Sequence, residues 1–276
     1  MGYKTIVAVL QDETGATAVL DVAVALTEDS KGHLVGVHAE PLPMPIASPM
    51  GFPDATVIGA GDDLSRDREE KLGRFFEERM RREDVSAEWR SLRTFSGDSA
   101  LSALESARCG DIVVASNAQG DGGAPDIDTL IQSGGRPVLI VPRDRPANVR
   151  AKRVVLAWNG SREAARAAFD ALPFIMVAEE TIVLTINPAT QSGDPGGRPG
   201  HEIAAALARH GAKVTVERAS SGRASVAETM SRVVEDRKAD LLVLGAFSHS
   251  RLKEMFFGGT TRSIIDKPPC LTLMSR

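Results

Sequence analysis

The sequence has 276 residues, a net charge of −4 and a pI near 5.8, which is enough chain for two ordinary domains. The excess of acidic residues and the aromatic content of 4% argue against a nucleic-acid-binding surface. No apolar run approaches the roughly 18 residues of a membrane-spanning helix. Cys109 and Cys270 form no CxxC motif, which favours a cytoplasmic protein without a disulfide framework.

The first residues, MGYKTIVAVL, predict a strand and not a signal peptide, because a long apolar core is missing. Three segments of the first half return in the same order in the second half. The matched pairs are 4–10 with 152–158, 110–116 with 239–245, and 136–142 with 268–274. This pattern predicts an internal duplication, with one domain over 1–145, a linker over 146–151 and a second domain over 152–276.

The second half alternates short apolar strands with helices. Ser161 can cap a helix that runs to about Leu172, Gly211 ends a helix over 201–210, and Ser225 with Glu228 forms a capping box. The predicted strands cover 153–158, 181–186, 213–218, 241–244 and 271–274. This alternation predicts two tandem α/β domains, each a doubly wound five-stranded parallel sheet.

Such sheets bind ligands at the carboxyl ends of their strands, and the segment GAFSHSRLKEMFFGGTT follows the fourth predicted strand there. Gly245 would let a ligand approach the strand end without meeting a Cβ atom. Gly258 and Gly259 leave backbone N–H groups open at a predicted helix N-terminus, and Thr260 and Thr261 add hydroxyls. The sequence therefore predicts an anion site suited to phosphate.

Two interpretations stay open for the basic residues of this segment. His249, Arg251 and Lys253 either neutralise phosphates or belong to a solvated loop.

The histidine spacing includes no HxxxH or HxH pattern, so no metal site is predicted. No GxSxG motif surrounds Ser161, so we interpret it as a helix cap and not as a nucleophile. No catalytic residue is assigned.

The segment over 245–260 is similar to the nucleotide-binding signature G-x2-G-x9-G-[S/T] of universal stress protein domains. The stretch AWNGS at 157–161 resembles the first strand and turn of that family, and the ending PPCLTLMSR resembles its last strand. The resemblance covers both halves and implies a tandem pair of universal stress protein domains. The implied fold is Rossmann-like, of the adenine nucleotide alpha hydrolase type.

The resemblance also implies roles for individual residues. Asn159, in the turn with Gly160 and Ser161, would help to hold adenosine, and backbone at Ile186 would meet adenine. Ribose and phosphates would be held by the glycine loop and the residues beside it, which are Gly245, Ser248, His249, Gly258, Gly259, Thr260 and Thr261.

This sequence departs from the family pattern at three of these positions. Asn159 replaces an acidic residue, Ser248 replaces a glycine, and Gly259 takes the place of the Ser or Thr. Because a hydrogen bond to a charged group contributes about 1.5–3 kcal/mol and a neutral one about 1 kcal/mol, the change at Asn159 predicts roughly tenfold weaker binding.

The first half has no such glycine spacing, and acidic residues such as Asp121 and Asp126 would repel phosphate. We expect it to be a degenerate, structural copy. The alternative is that a proline-rich insertion over 41–53 and the acidic loop contact a partner.

The leading functional hypothesis is a stress-response regulatory protein that binds ATP or a related adenine nucleotide in its C-terminal half, with Mg²⁺ only as the companion of the nucleotide. Catalysis is expected to be absent or limited to slow ATP hydrolysis. The alternatives are a nucleotide-free scaffold in which the loop is a relic, and an enzyme of adenylate chemistry. The resemblance implies pairing of the two halves through their last strands, near 137–142 and 271–274. A homodimer and an unknown regulatory protein partner are further expectations.

Overall fold

The computed structural model describes residues 2–41, 55–94, 100–117, 126–143, 149–187, 200–247 and 259–276. Contacts divide the chain into two compact units, Gly2–Arg136 and Pro137–Arg276, called here the N-terminal unit and the C-terminal unit. The sequence predicts a boundary after residue 145, whereas the contacts place it after Arg136. The strand Val138–Val141 therefore belongs to the C-terminal unit and not to the first domain. That strand pairs with the last strand of the chain.

The N-terminal unit is a parallel sheet with helical connections. Its elements are β1 (Thr5–Val9), α1 (Glu13–Ser30), β2 (His33–Pro41), α2 (Ala55–Met80), β3 (Ser86–Thr94), α3 (Ala100–Cys109), β4 (Ile112–Ser116) and α4 (Ile127–Gly134). The strand order is β3-β2-β1-β4, and each of these pairs is parallel. The order therefore reverses between β1 and β4, as in a doubly wound fold.

The C-terminal unit repeats this order. Its elements are β5 (Val138–Val141), β6 (Arg153–Ala157), α5 (Arg162–Asp170), α6 (Leu172–Ile175), β7 (Glu180–Ile186), α7 (His201–Arg209), β8 (Val214–Ala219), α8 (Val226–Arg237), β9 (Leu241–Gly245), α9 (Gly259–Asp266) and β10 (Leu271–Ser275). The strand order is β5-β10-β9-β6-β7-β8, and only the pairing of β5 with β10 is antiparallel among these strands. The predicted α/β fold class is confirmed.

The strands form where the sequence is continuously apolar, which suits a sheet covered on both faces. β9 and β10, for example, are buried almost throughout. The local helix signals are also confirmed. Ser225 and Glu228 form both hydrogen bonds of a capping box, and Gly211 follows α7 with φ of 96°. The helix predicted to run to about Leu172 ends at Asp170, and Pro173 stands in the first turn of a second short helix, α6, where its missing N–H needs no partner.

The start of the first strand is held in the same way in both units. Asp111 Oδ2 accepts hydrogen bonds from the N–H groups of Lys4 and Thr5, over 2.6 and 3.0 Å. Asp240 Oδ2 makes the same pair of contacts at the amino end of β6, over 2.8 and 3.0 Å. Because the pairing repeats residue by residue, it supports the internal duplication inferred from the sequence.

The first half is the longer one partly because α2, Ala55–Met80, is much longer than its counterpart α7. Residues 42–54, which form most of the predicted proline-rich insertion, lie outside the described residues. Among the helices that the structure describes, none combines the length and the apolar character needed to cross a bilayer.

Candidate functional site

The strand order of the C-terminal unit reverses between β6 and β9, which pair in parallel with Ala157 opposite Leu244. The connections that leave these two strands diverge there, and the crevice between them is the usual ligand position of this architecture. The structure brings to this edge the turn that contains Asn159 and the strand ends at Ile186 and Gly245. Ser248, His249 and Gly258 lie outside the described residues.

The turn after β6 is held by its own side chains. Asn159 is exposed, and its Oδ1 accepts a hydrogen bond from the Ser161 N–H over 3.0 Å. Gly160 has φ of 75°, and a Cβ built there meets no atom within 4 Å. Ser161 Oγ accepts from the Ala164 N–H over 3.1 Å, which confirms its role as the cap of α5. The turn is therefore rigid and open to solvent at Gly160.

Gly245 is required by the packing of α5 against the end of β9. A Cβ on Gly245 would lie 2.4 Å from Ala164 N and 2.4 Å from the backbone carbon of Glu163. The sequence interpretation, in which the missing side chain makes room for a ligand, is corrected: the first turn of α5 occupies that direction. Gly245 therefore positions the helix that carries the turn at 159–161.

The N-terminus of α9 lies beside the end of β9. The Phe247 N–H donates over 3.5 Å to Oγ1 of Thr261, which is 8% exposed. Gly259 is exposed and a Cβ there meets no atom within 4 Å, while Thr260 is half-buried. The first N–H groups of a helix have no partner inside it, so this helix start offers donors to an anion at the edge of the sheet.

A buried carboxylate, which the sequence interpretation missed, lies at the start of α5. Glu163 is 3% exposed and accepts a hydrogen bond from Arg162 Nε over 2.5 Å. Burial raises the pKa of Glu163, but the hydrogen bond from Arg162, those from its own N–H and Ser161, and the Arg162 charge hold that pKa below its ordinary value. The positive end of α5 is therefore already balanced by an anion of the protein.

Replacing Glu163 with Gln is expected to destabilise the protein by about 1 kcal/mol at neutral pH. A carboxyl whose pKa is lowered by folding stabilises the folded state above its unfolded pKa. That contribution is lost as the pH falls through the folded pKa. Thermal unfolding should show a larger difference between wild type and variant at pH 7 than at pH 3. The control is Glu202→Gln, because Glu202 occupies the first turn of α7 but is exposed. An equal difference at both pH values would contradict this account of Glu163.

An open depression of about 560 Å³ lies at the opposite, amino edge of the sheet, where Arg153, Glu180 and Lys213 line it. Because this depression is exposed and its lining carries charges of both signs, we expect it to hold solvent and not a specific ligand. In the described ranges, no group of three or more His, Cys, Asp or Glu side chains is arranged to hold a metal ion. The edge with β6, β9 and the start of α9 is therefore the candidate functional site.

Comparisons with known proteins agree with this architecture. The model of the Universal stress protein family matches residues 150–276. No match was found among curated proteins. A universal stress protein from Archaeoglobus fulgidus DSM 4304 superposes with a TM-score of 0.66 and 13% identity, over 99% of this chain and 96% of that one.

Two further solved structures also align along the full length. A putative universal stress protein from Pseudomonas aeruginosa UCBPP-PA14 has a TM-score of 0.60 and 15% identity, over 99% of this chain and 93% of its own. A protein of unknown function from Pseudomonas aeruginosa PAO1 has a TM-score of 0.58 and 16% identity, over 99% and 92%. Residues 150–276 thus match the universal stress protein family, and the whole chain has the fold of solved universal stress proteins.

Proposed function

We propose that the C-terminal unit binds ATP or a related adenine nucleotide at the crevice between β6 and β9, and that the chain acts as a stress-response regulator. The observation that carries this proposal is the open start of α9, which the contact between Thr261 and Phe247 holds beside the end of β9. Backbone donors at a helix start, placed at the reversal of the strand order, suit the phosphates of a nucleotide.

The adenosine part of the ligand would lie over the neighbouring strand ends. Asn159 is exposed there and offers its amide to hydroxyl groups, and Ile186 ends β7 with its backbone at the same edge. Gly160 leaves open space beside them. The resemblance of this segment to universal stress protein domains implies that Asn159 helps to hold adenosine and that backbone at Ile186 meets adenine, and the family match over residues 150–276 supports this assignment.

The charges of the crevice favour one direction for the phosphates. The start of α5 is already occupied by the ion pair of Glu163 with Arg162, so it offers a phosphate little unbalanced positive charge. The start of α9 has no acidic residue in its first turn. The phosphates would therefore extend from the turn at 159–161 toward Gly259, with Mg²⁺ bound only as the companion of the nucleotide.

The proposed activity is binding and not efficient catalysis. Glu163, the buried carboxylate at this edge, is held by Arg162 and by the helix start, so it is poorly placed to accept a proton from a water molecule. Turnover of ATP, if measured, is expected to be slow and to leave the nucleotide mainly bound.

Calorimetric titration with ATP, ADP and AMP, each with and without Mg²⁺, tests the proposal. We expect saturable binding by the wild-type chain, with affinity that rises with the number of phosphates because the start of α9 contributes to it. The absence of heat at millimolar concentrations of all three nucleotides would refute nucleotide binding. A nucleotide-free scaffold would then be the better description.

Replacing Asn159 with Asp is expected to increase the affinity for adenosine nucleotides about tenfold, because a charged acceptor forms a stronger hydrogen bond with a ribose hydroxyl. The turn should survive, since Asp retains the acceptor oxygen that binds the Ser161 N–H. Titration of both proteins with ATP measures the change. Asn159→Ala serves as the control and should weaken binding, and an Asp variant that binds no better than wild type would contradict contact between residue 159 and the ribose.

A further inference from the structure

The two units can be compared residue by residue at the end of their first strand. The N–H of Leu10 continues the pairing of β1 with β2 over 2.8 Å, and the N–H of Trp158 continues the pairing of β6 with β7 over 2.8 Å. Gln11 follows Leu10, and Asn159 follows Trp158. These two amide side chains therefore stand at equivalent places beside the reversal of the strand order in each unit.

The two amides have opposite arrangements. Gln11 is 5% exposed, and its Nε2 donates a hydrogen bond over 2.9 Å to the carbonyl of Ala39 near the end of β2. Asn159 is exposed, and its Oδ1 accepts from the Ser161 N–H in its own turn. Ala39 is the counterpart of Ile186, so Gln11 occupies a backbone acceptor at the position where the C-terminal unit would meet the base.

A buried histidine holds the same segment of the N-terminal unit in place. His38 is fully buried, and its Nδ1 lies 2.9 Å from the Leu10 carbonyl, to which it donates. The counterpart of His38 is Thr185, whose Oγ1 donates instead to the Glu217 carbonyl over 3.3 Å. The first turn of the N-terminal unit is thus joined to β2 by two side-chain hydrogen bonds, whereas Thr185 bonds toward β8.

The connection from β1 to α1 is also shorter. Asp12 directly follows Gln11 and caps α1 through the Gly15 N–H at 2.7 Å, so this unit has no counterpart of Gly160. The Oε1 atom of Gln11 is buried and finds no hydrogen-bond partner among the described residues. An unpartnered buried acceptor is unfavourable, so packing alone does not explain a polar side chain at this position.

We propose that Gln11 closes the ligand crevice of the N-terminal unit by filling it and by occupying the Ala39 carbonyl. A single side chain then controls access to this crevice. The two units differ in ligand binding because Gln11 points inward in the N-terminal unit, whereas Asn159 remains in its own turn in the C-terminal unit. The ligand class, adenosine without a requirement for phosphates, follows from the proposed function of the C-terminal unit. Phosphates are not required because α4, the counterpart of α9, has Asp126 as its cap and Asp128 in its first turn.

Titration of the full chain with adenosine tests this proposal. Gln11→Ala is expected to bind one more adenosine per chain than the wild type, and amide hydrogen exchange at residues 10–12 should become at least about tenfold faster because the tie to β2 is lost. The readout is the increase in the number of sites. We expect one additional site per chain whether the wild type binds one adenosine or none. A failure of the proposed function would appear in the wild type, and a failure of this inference would appear in the variant.

Gln11→Met is the matched control, since Met has a similar length and fills the same space without the amide. It should gain no site. If Gln11→Ala unfolds, Gln11→Asn replaces it, because the shorter amide no longer reaches the Ala39 carbonyl. The proposal is overturned if the folded short-chain variant binds no more adenosine than the wild type, or if Gln11→Met gains the same site.

Discussion

Replacing Gly259 with Phe is expected to weaken binding of adenine nucleotides by the C-terminal unit at least about a hundredfold while changing the free energy of unfolding by less than about 0.5 kcal/mol. A Cβ at Gly259 meets no atom within 4 Å, and Gly259 is exposed, so the larger side chain can be directed to solvent beside the helix start. The ring would cover the N–H groups at the start of α9. Losing two hydrogen bonds to a charged phosphate, each contributing about 1.5–3 kcal/mol, weakens binding at least about a hundredfold.

Calorimetry with ATP measures the loss of binding, and chemical denaturation measures stability. The matched control is Ser263→Phe, which adds the same ring to an exposed position one turn later in α9. This control should bind ATP like the wild type. Normal ATP binding by Gly259→Phe would exclude the start of α9 as the phosphate site, and binding would then have to be sought elsewhere in the unit.

Replacing Gly245 with Ala is expected to destabilise the protein by about 1–3 kcal/mol, the usual cost of overpacking. The new Cβ would lie 2.4 Å from two backbone atoms of α5, and backbone atoms cannot move aside as a flexible side chain can. Relief requires a shift of α5, which carries the turn with Asn159 on its N-terminal side. Nucleotide affinity should therefore fall together with stability.

Urea denaturation gives the stability change, and titration with ATP gives the change in affinity. The matched control is Gly259→Ala, because the same methyl group there meets open space. It should leave stability within about 0.5 kcal/mol of the wild type. If Gly245→Ala retains full stability and loses only ligand affinity, the original sequence interpretation of Gly245 as a ligand contact would be restored.

Much of the fold could be predicted from the sequence, because its signals are local. Buried parallel strands are apolar along their whole length, and helix starts such as Ser161 and Ser225 carry their own capping groups. Recognising βαβ units predicts parallel strands with right-handed connections, whereas the order of the strands is seen only in the structure. The short helix α6 is harder to predict, because Pro173 is compatible both with the end of one helix and with the first turn of another.

The site was less predictable, because the roles of its residues depend on tertiary contacts. The missing side chain of Gly245 was assigned to a ligand, yet its neighbour is a helix from another part of the sequence. Gln11, His38 and Glu163 carry no motif, and their burial appears only when the strand ends are assembled. One available signal was the position of Glu163 in the first turn of an alanine-rich helix, where an acidic residue balances the helix dipole.

The repeated carboxylates Asp111 and Asp240 have a consequence for how this chain can change. Both anchor the amino ends of the strands, at the opposite side of the sheet from the turns that distinguish the two units. The amino ends of the strands therefore maintain the architecture of both units. The turns at the carboxyl ends can differ between the units without disturbing that architecture. If the C-terminal unit binds its ligand as proposed, transplanting 159–161 in place of 11–12 would transfer part of that binding to the first half and leave its strand anchors unchanged.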